Sequence, residues 1–405
     1  MPGYGARYWA ERTASSRRRR YGALRGEHTA DVVVIGGGLT GATAAYVLAR
    51  GGLDVVLVEA DRLASAGTAA GLGCLLPEPA VSFRAAEASV GIRRARAAWQ
   101  DARTSTLEMA ALLRRLAVRC DLDAAPLVTT APTSEAAVQL QRERTARVAA
   151  GLDVSSMPLR VAQATVGASA LAAFKQRDAF VFDPVRATMG LVRAAEEAGA
   201  RVFERSAVRR TTYTRRDAEV VLANGRIRAS GVFVATATPG KVFRPLARHV
   251  REGEGYVVVT EPLSSRMKRE TGRRDCLVVE AGESPRWLRW LGDGRAMFAG
   301  ATSTPAGARK ATKVLVQRTG QLMYELSLRH PVISGLPARW SWPVPLATTA
   351  DGLPWVGPHR NYPFHFFALA FGWQGDSLAL LAARTALRHF KGEPKRGDDL
   401  FGFGR

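Results

Sequence analysis

Residues 31–60, "DVVVIGGGLTGATAAYVLARGGLDVVLVEA", constrain the fold more tightly than any other stretch of the chain. Val32 to Ile35 is a β-branched run without polar interruption, the pattern of a strand buried on both faces of a parallel sheet. It stops at Gly36-Gly37-Gly38. The Ala-rich segment from Thr40 to Arg50 carries apolar residues at helical spacing, and Gly51-Gly52 ends it as a C-terminal glycine does. Val55 to Val58 then reads as a second buried strand. In this β-α-β unit Gly36, Gly38 and Gly41 stand at GxGxxG positions. There a missing side chain permits a tight turn, the approach of a pyrophosphate and close helix-to-strand packing. The helix N-terminus, with its unpaired N–H groups and favourable dipole, is where such an anion sits. Glu59 ends the second strand, where a carboxylate accepts from both ribose hydroxyls and repels a 2′-phosphate, which argues against NADP. The unit predicts a bound dinucleotide. By itself it leaves FAD and NAD open.

At 405 residues and 47% hydrophobic, the chain can bury a large core divided between two structural units. A formal charge of +22 suggests an anionic partner, but the excess comes from 51 arginines against seven lysines, scattered along the chain. No zinc spacing, basic heptad helix or RNA-binding aromatic signature accompanies it, so no specific nucleic acid is expected. A peripheral contact with anionic lipid stays open. Cys74, Cys120 and Cys276 are odd in number and form no CxxC pair, which indicates neither a disulfide framework nor a zinc site and fits a reducing cytoplasm. His330, His359 and His365 form no ligand cluster, so no metal is assigned. The run "SSRRRR" at Ser15 to Arg20 lacks the apolar stretch an export signal needs, and no 18-residue apolar run offers a membrane span. Residues 1–27 read as a charged, partly ordered arm.

Downstream, the chain does not continue as regular β-α repeats. Residues 85–150 read as helices rich in Ala, Arg and Leu, and sheet-like material returns later. "AFVFDPVRATMGLVRAAEEAGARVFERSAVRRTT" predicts a short strand, a helix from about Pro184 to Ala198 and a strand at Val202 to Phe203. "EVVLANGRIRASGVFVATATPG" predicts a hairpin turning at Asn224-Gly225, then a buried strand from Val232 to Ala235. With Gly36 to Gly41, Glu59, "LRWLGDGRAMFAG" and "DGLPWVG" in the same order, the chain resembles the D-amino acid oxidase and glycine oxidase family of FAD-dependent oxidoreductases over nearly its whole length. Tyr8-Trp9 followed by a basic arm resembles the gamma-glutamylputrescine oxidase branch.

The resemblance implies FAD as cofactor. It assigns Gly36, Gly37, Gly38, Thr40 and Gly41 to the pyrophosphate, Glu59 to the ribose and the Val208 backbone to the adenine. Thr68 and Leu72, in "SAGTAAGLG", would pass beside the flavin, although Ala69-Ala70 replaces the Arg-Asn common there. Relatives with a covalent flavin carry His about where Thr68 stands or Cys about where Val344 stands, so noncovalent FAD is expected. "GWQGDSLALLAARTALRHF" predicts a helix whose N-terminus, at Gln374, Gly375, Asp376 and Ser377, aims at the flavin. Asp376 or Ser377 is the N-cap candidate, and Asp376 reads as an N-cap turned toward backbone N–H groups, weighed against a carboxylate near the reduced flavin that would lower its potential. Substrate carboxylates in the family are commonly held by Arg, Lys or Tyr, which makes Arg289 the first candidate, weighed against a solvated strand arginine. Among Trp287, Trp290, Trp340, Trp342 and Trp373, the last is best placed to line an amine site. Cys74 reads as a small buried hydrophobe.

The predicted architecture is α/β. A Rossmann-type FAD-binding domain with a parallel sheet (28–84, 177–240 and 343–394) is interleaved with a discontinuous α+β substrate domain containing an antiparallel sheet (85–176 and 241–342). A tail (395–405) follows. The expected chemistry is hydride transfer from an amine or amino acid to flavin without an obligatory side-chain base, with oxygen or a quinone as electron acceptor. The rivals are a dehydrogenase of a hydroxy acid or polyol, and a basic flavin-containing binding protein that has lost catalysis.

Overall fold

The buried valines of the glycine-rich unit form the centre of the first of two large sheets. The structure is a computed structural model that describes residues 3–13, 19–282 and 284–405, apart from the side chain of Gln374. Part of the expected basic arm, residues 14–18, lies outside the described residues. Strands Arg201–Phe203, Val55–Val58, Gly26–Ile35, Gly225–Ala237 and Tyr362–Leu369 lie side by side and parallel. Side chains alternate across the sheet as a pleat requires. Val32, Val34, Val55 and Leu57 face a core with the helices, while Val33, Ile35, Val56 and Val58 face Leu222, Phe243 and Phe367. Helix Leu39–Arg50 packs between Pro184–Glu197 and Gly375–Lys391 on the first of these faces.

The hairpin predicted at Asn224-Gly225 forms, with Ala218–Leu222 antiparallel to Gly225–Ala237. Its second arm and the buried strand expected after it are one 13-residue strand. The first half, alternately exposed and buried, sits between Ala218–Leu222 and Gly26–Ile35, and the second half between Gly26–Ile35 and Tyr362–Leu369.

The second sheet has nine strands in the order Gly3–Tyr4, Ala338–Thr348, Arg251–Thr260, Ala296–Ser303, Arg286–Trp290, Leu277–Glu280, Leu127–Ala131, Ala172–Gln176 and Ser155–Ser156. It is antiparallel except at its first pair and where Leu277–Glu280 meets Leu127–Ala131. Leu127–Ala131 corrects the all-helical reading of 85–150. Helices Phe83–Val90, Ile92–Arg115 and Ser134–Ala149 are present, but between them "LVTTA" is a wholly buried strand, too short to show a period. Strand Ala338–Thr348 pairs with Arg251–Thr260 as far as Thr348, so this sheet runs past residue 343. Residues 395–405 are docked rather than free: the Val356 N–H donates to the Phe401 carbonyl (2.8 Å), and Arg405 pairs with Asp351 (2.6 Å) while lying 3.7 Å from the Trp355 ring centroid.

Between the helices and the second sheet, Arg147 is 4% exposed and pairs with two buried carboxylates, Glu78 and Glu143. Glu143 also accepts from the Phe83 (2.7 Å) and Arg84 (3.1 Å) N–H groups, which starts helix Phe83–Val90. Removing one partner of a buried ion group leaves the others uncompensated, so Arg147→Met is expected to lower stability by about 3–5 kcal/mol in urea denaturation. Adding Glu78→Gln and Glu143→Gln to that variant is expected to recover much of the loss.

Candidate cofactor site

The C-terminal ends of strands Gly26–Ile35, Val55–Val58 and Gly225–Ala237 open into a cavity of about 300 Å³. Its far wall comes from Ala66 to Thr68 and Gly71, from Val344, Pro345 and Ala347 of the second sheet, and from Phe371, Gly372, Trp373, Gly375 and Asp376. Two glycines permit the turn at its floor. Gly36 has φ +109°, and a Cβ there would lie 2.5 Å from the Ala235 carbonyl oxygen; a Cβ on Gly41 would lie 1.8 Å from the Gly36 carbonyl oxygen. The helix therefore starts directly against the strand end, with Gly38 and Thr40 in the cavity wall. Gly37 is turned away from the cavity. Its N–H donates to the Glu59 carboxylate (2.6 Å), whose other oxygen accepts from the Asp61 N–H (2.9 Å). Both bonds orient Glu59, which lines the cavity together with Ser206 and Val208.

At the other end Thr68 lines the cavity and accepts from the Leu39 N–H (2.9 Å), joining the loop 66–71 to the first turn of the helix. Leu72 is not in the wall; its side chain is buried in the core beneath the second sheet. Arg289 does not reach the cavity either. It is buried, and one guanidinium nitrogen donates to the carbonyls of Leu72 (2.6 Å), Gly73 (2.6 Å) and Phe182 (3.0 Å) while the group lies 4.8 Å from the Trp9 ring centroid. Burial lowers its pKa to about 10, which leaves it charged at neutral pH. Neither a solvated strand arginine nor a group presented to the cavity describes it: it holds backbone.

Of the five tryptophans considered, Trp373 alone is in the cavity wall. Trp342 donates to the Ala70 carbonyl (3.0 Å), Trp340 to Glu11 (2.8 Å), and Trp287 and Trp290 pack in the second sheet. Helix Gly375–Lys391 begins at the cavity with Gly375 and Asp376 in the wall, while the side chain of Gln374 is outside the described residues. Ser377 turns inward, where its hydroxyl accepts from the Leu76 N–H (2.7 Å). Asp376 departs from the expected cap. It lies in the first helical turn, and among the described residues no donor reaches its carboxylate. Burial pushes its carboxyl up to about 7, opposed by the charge of Arg289. Cys74 is buried behind the loop with its thiol pushed up to about 12, mainly by burial, which fits an inert hydrophobe.

Thr236, Ala237, Pro345, Phe371 and Gly372 also line the cavity and were not singled out in the sequence. For Thr236 and Ala237 a signal existed, since ligands in such sheets bind beyond the carboxyl ends of the strands and "VFVATA" is one such end. Among the described residues lining the cavity there is no His, Cys or Tyr.

A family model described as "DAO: FAD dependent oxidoreductase" matches residues 31–388. The chain is 25% identical over 377 residues to gamma-glutamylputrescine oxidoreductase of Escherichia coli, covering 91% of this chain and 85% of that protein. Glycine oxidase from Geobacillus kaustophilus superposes with a TM-score of 0.75 at 18% identity, covering 91% of this chain and 96% of that one. L-Proline dehydrogenase from P. horikoshii also gives 0.75 at 18% identity, covering 94% and 97%. The site fits FAD on its own geometry: a glycine cradle that a Cβ would fill shares one cavity with the Glu59 carboxylate and with Trp373 and Phe371.

The half-buried Asp376 carboxyl has a pH signature. Its folded pKa lies above the unfolded value of about 3.9, so the folded state retains a proton the unfolded state loses, and stability falls as pH rises from about 4 to 7. Asp376→Asn, which keeps the neutral shape, is expected to be more stable than the parent at pH 8. The difference in urea midpoint should shrink on acidification from 7 and vanish near pH 4.

Proposed function

We propose that this chain, which belongs to the DAO family of FAD-dependent oxidoreductases, oxidises a C–N bond of an amine or amino acid. The observation that carries the reading is that one cavity is lined by Glu59, the glycine turn, Trp373 and Asp376 together. Glu59, Ser206 and Val208 would hold the adenosine, and Gly36, Gly38 and Thr40 the pyrophosphate at the helix N-terminus. Thr68, Gly71, Val344, Trp373, Gly375 and Asp376 would surround the ring. With Thr68 and Val344 in the wall and no His, Cys or Tyr beside them among the described residues, noncovalent attachment follows. The amine reading is supported by relatives whose names give glycine, L-proline and gamma-glutamylputrescine as substrates.

When bound, FAD would supply the oxidant, taking a hydride, one proton with two electrons, from the carbon bearing the neutral nitrogen and leaving an iminium. The residues of the chain contribute position, dryness and field. Phe371, Trp373 and Val344 exclude water from the ring end. Helix Gly375–Lys391 points its positive N-terminus into the same end, where it favours developing negative charge. A protonated Asp376 leaves that field intact, whereas an ionised one opposes it.

Anaerobic titration of the purified holoprotein with amines, amino acids and hydroxy acids tests this reading. Flavin absorbance is expected to bleach with one amine or amino acid class, and acid precipitation is expected to release the flavin into the supernatant. Bleaching by hydroxy acids alone would transfer the reading to C–O oxidation. A subsequent admission of oxygen or a quinone identifies the electron acceptor by which of them restores the oxidised spectrum.

A further inference from the structure

The N-terminal segment, read from its charge as a partly ordered arm, is docked against the cofactor loop. Gly3 and Tyr4 add a parallel strand to the second sheet beside Trp340 and Ser341, and Gly5 donates to the Ser341 carbonyl (2.7 Å). Helix Tyr8–Arg12 follows, with Trp9 0% exposed and Tyr8 donating to Asp293 (2.9 Å). The Trp9 indole N–H donates to the Gly71 carbonyl (2.9 Å), and Arg7 donates to the carbonyls of Ser65 and Ala66.

These contacts complete a pattern along the loop. The carbonyls of Ala70, Gly71, Leu72 and Gly73 are held in succession by the side chains of Trp342, Trp9 and, for the last two, Arg289. Trp9 enters twice, since its ring also lies against the Arg289 guanidinium. A trans peptide is planar, with its C=O and the next residue's N–H pointing in opposite directions. Fixing the Gly71 and Leu72 carbonyls therefore fixes the Leu72 and Gly73 N–H groups. Neither of these N–H groups has an acceptor among the described residues. Gly71 lines the cavity, whereas Trp9 and Arg289 stand outside it.

We propose that residues 3–12 form a strap that sets the loop at Gly71 to Gly73, with Trp9 as a positioning residue that fixes the Gly71 peptide in the wall of the cavity where the FAD ring would bind. The strap ties a segment remote in sequence to the ring end of the site. It leaves the adenosine end, built by Glu59 and the glycine turn, untouched.

Trp9→Phe keeps an aromatic ring beside Arg289 and removes the donor to Gly71. Tyr8→Phe removes the bond to Asp293, which does not touch the loop, and reports ordinary loss of strap docking. The readouts are the FAD dissociation constant from flavin fluorescence, the visible flavin spectrum and reduction potential of the holoprotein, and the thermal midpoint of the FAD-free protein. Trp9→Phe is expected to raise the dissociation constant about three- to tenfold, the worth of one hydrogen bond, and to shift the spectrum and potential. Tyr8→Phe is expected to leave the flavin readouts unchanged at a similar thermal midpoint. Trp9→His, which returns a ring N–H, should recover part of the affinity. Wild-type FAD affinity and spectrum in Trp9→Phe, or equal flavin changes in Tyr8→Phe, would overturn the proposal.

Discussion

The closest contact in the site is between two glycines. A side chain at residue 41 would fall 1.8 Å from the Gly36 carbonyl oxygen, and everything around the cavity depends on that approach being open. Because it is open, helix Leu39–Arg50 begins where strand Gly26–Ile35 ends, and its first N–H groups stand at the mouth of the parallel sheet. The same turn lets Gly37 bind Glu59, which places a carboxylate at the end of the neighbouring strand. Glycine in a folded position costs roughly 0.5–1 kcal/mol relative to alanine through lost chain entropy. Burial of the helix between its two neighbours offsets it: Gly51 lets the Leu387 side chain pack against the helix end, since a Cβ on Gly51 would lie 2.4 Å from it.

How much of this could be read in the sequence follows from how far apart the cooperating residues lie. Strand, turn, helix, second strand and Glu59 were legible because thirty consecutive residues carry them and each obeys a local rule. Helix Pro184–Glu197 and the Asn224-Gly225 turn were legible for the same reason. Strand Leu127–Ala131 was not, because five buried residues between long helices show no period and its partner, Leu277–Glu280, is far away in the chain. Of the two readings of Asp376, the cap rested on a local rule, that an acidic residue at a helix start normally caps it. Here the helix begins two residues earlier than such a cap requires, and Asp376 lies in the cavity wall.

The arginine excess was also legible only as a number. Arg147, Arg289 and Arg405 are inside the molecule, where they bind carboxylates, backbone carbonyls and aromatic faces. Such sites need a planar fork of donors that stays charged when buried, which a lysine ammonium does not supply. The carboxylates enclosed with them, Glu78, Glu143 and Asp351, cancel their charge, so the formal excess of +22 is left to the outer groups. It also explains why the N-terminal segment reads misleadingly: the basic run from Arg17 to Arg20 dominates its composition, while Tyr8 and Trp9 are the residues that anchor it.

The two ends of the cavity thus arise in different ways. The adenosine end is assembled by near neighbours in one β-α-β unit and by the strand end at Ser206 and Val208. The ring end exists only when the two sheets meet, because its loop is held by donors from residues 9, 289 and 342 and by the hydroxyl of Ser377. A change anywhere in those four segments acts on the same short stretch of backbone. On the proposed placement of FAD, substitutions remote from the cavity would therefore alter the setting of the ring without touching it, whereas the grip on the nucleotide half would be set locally by the glycine turn and Glu59.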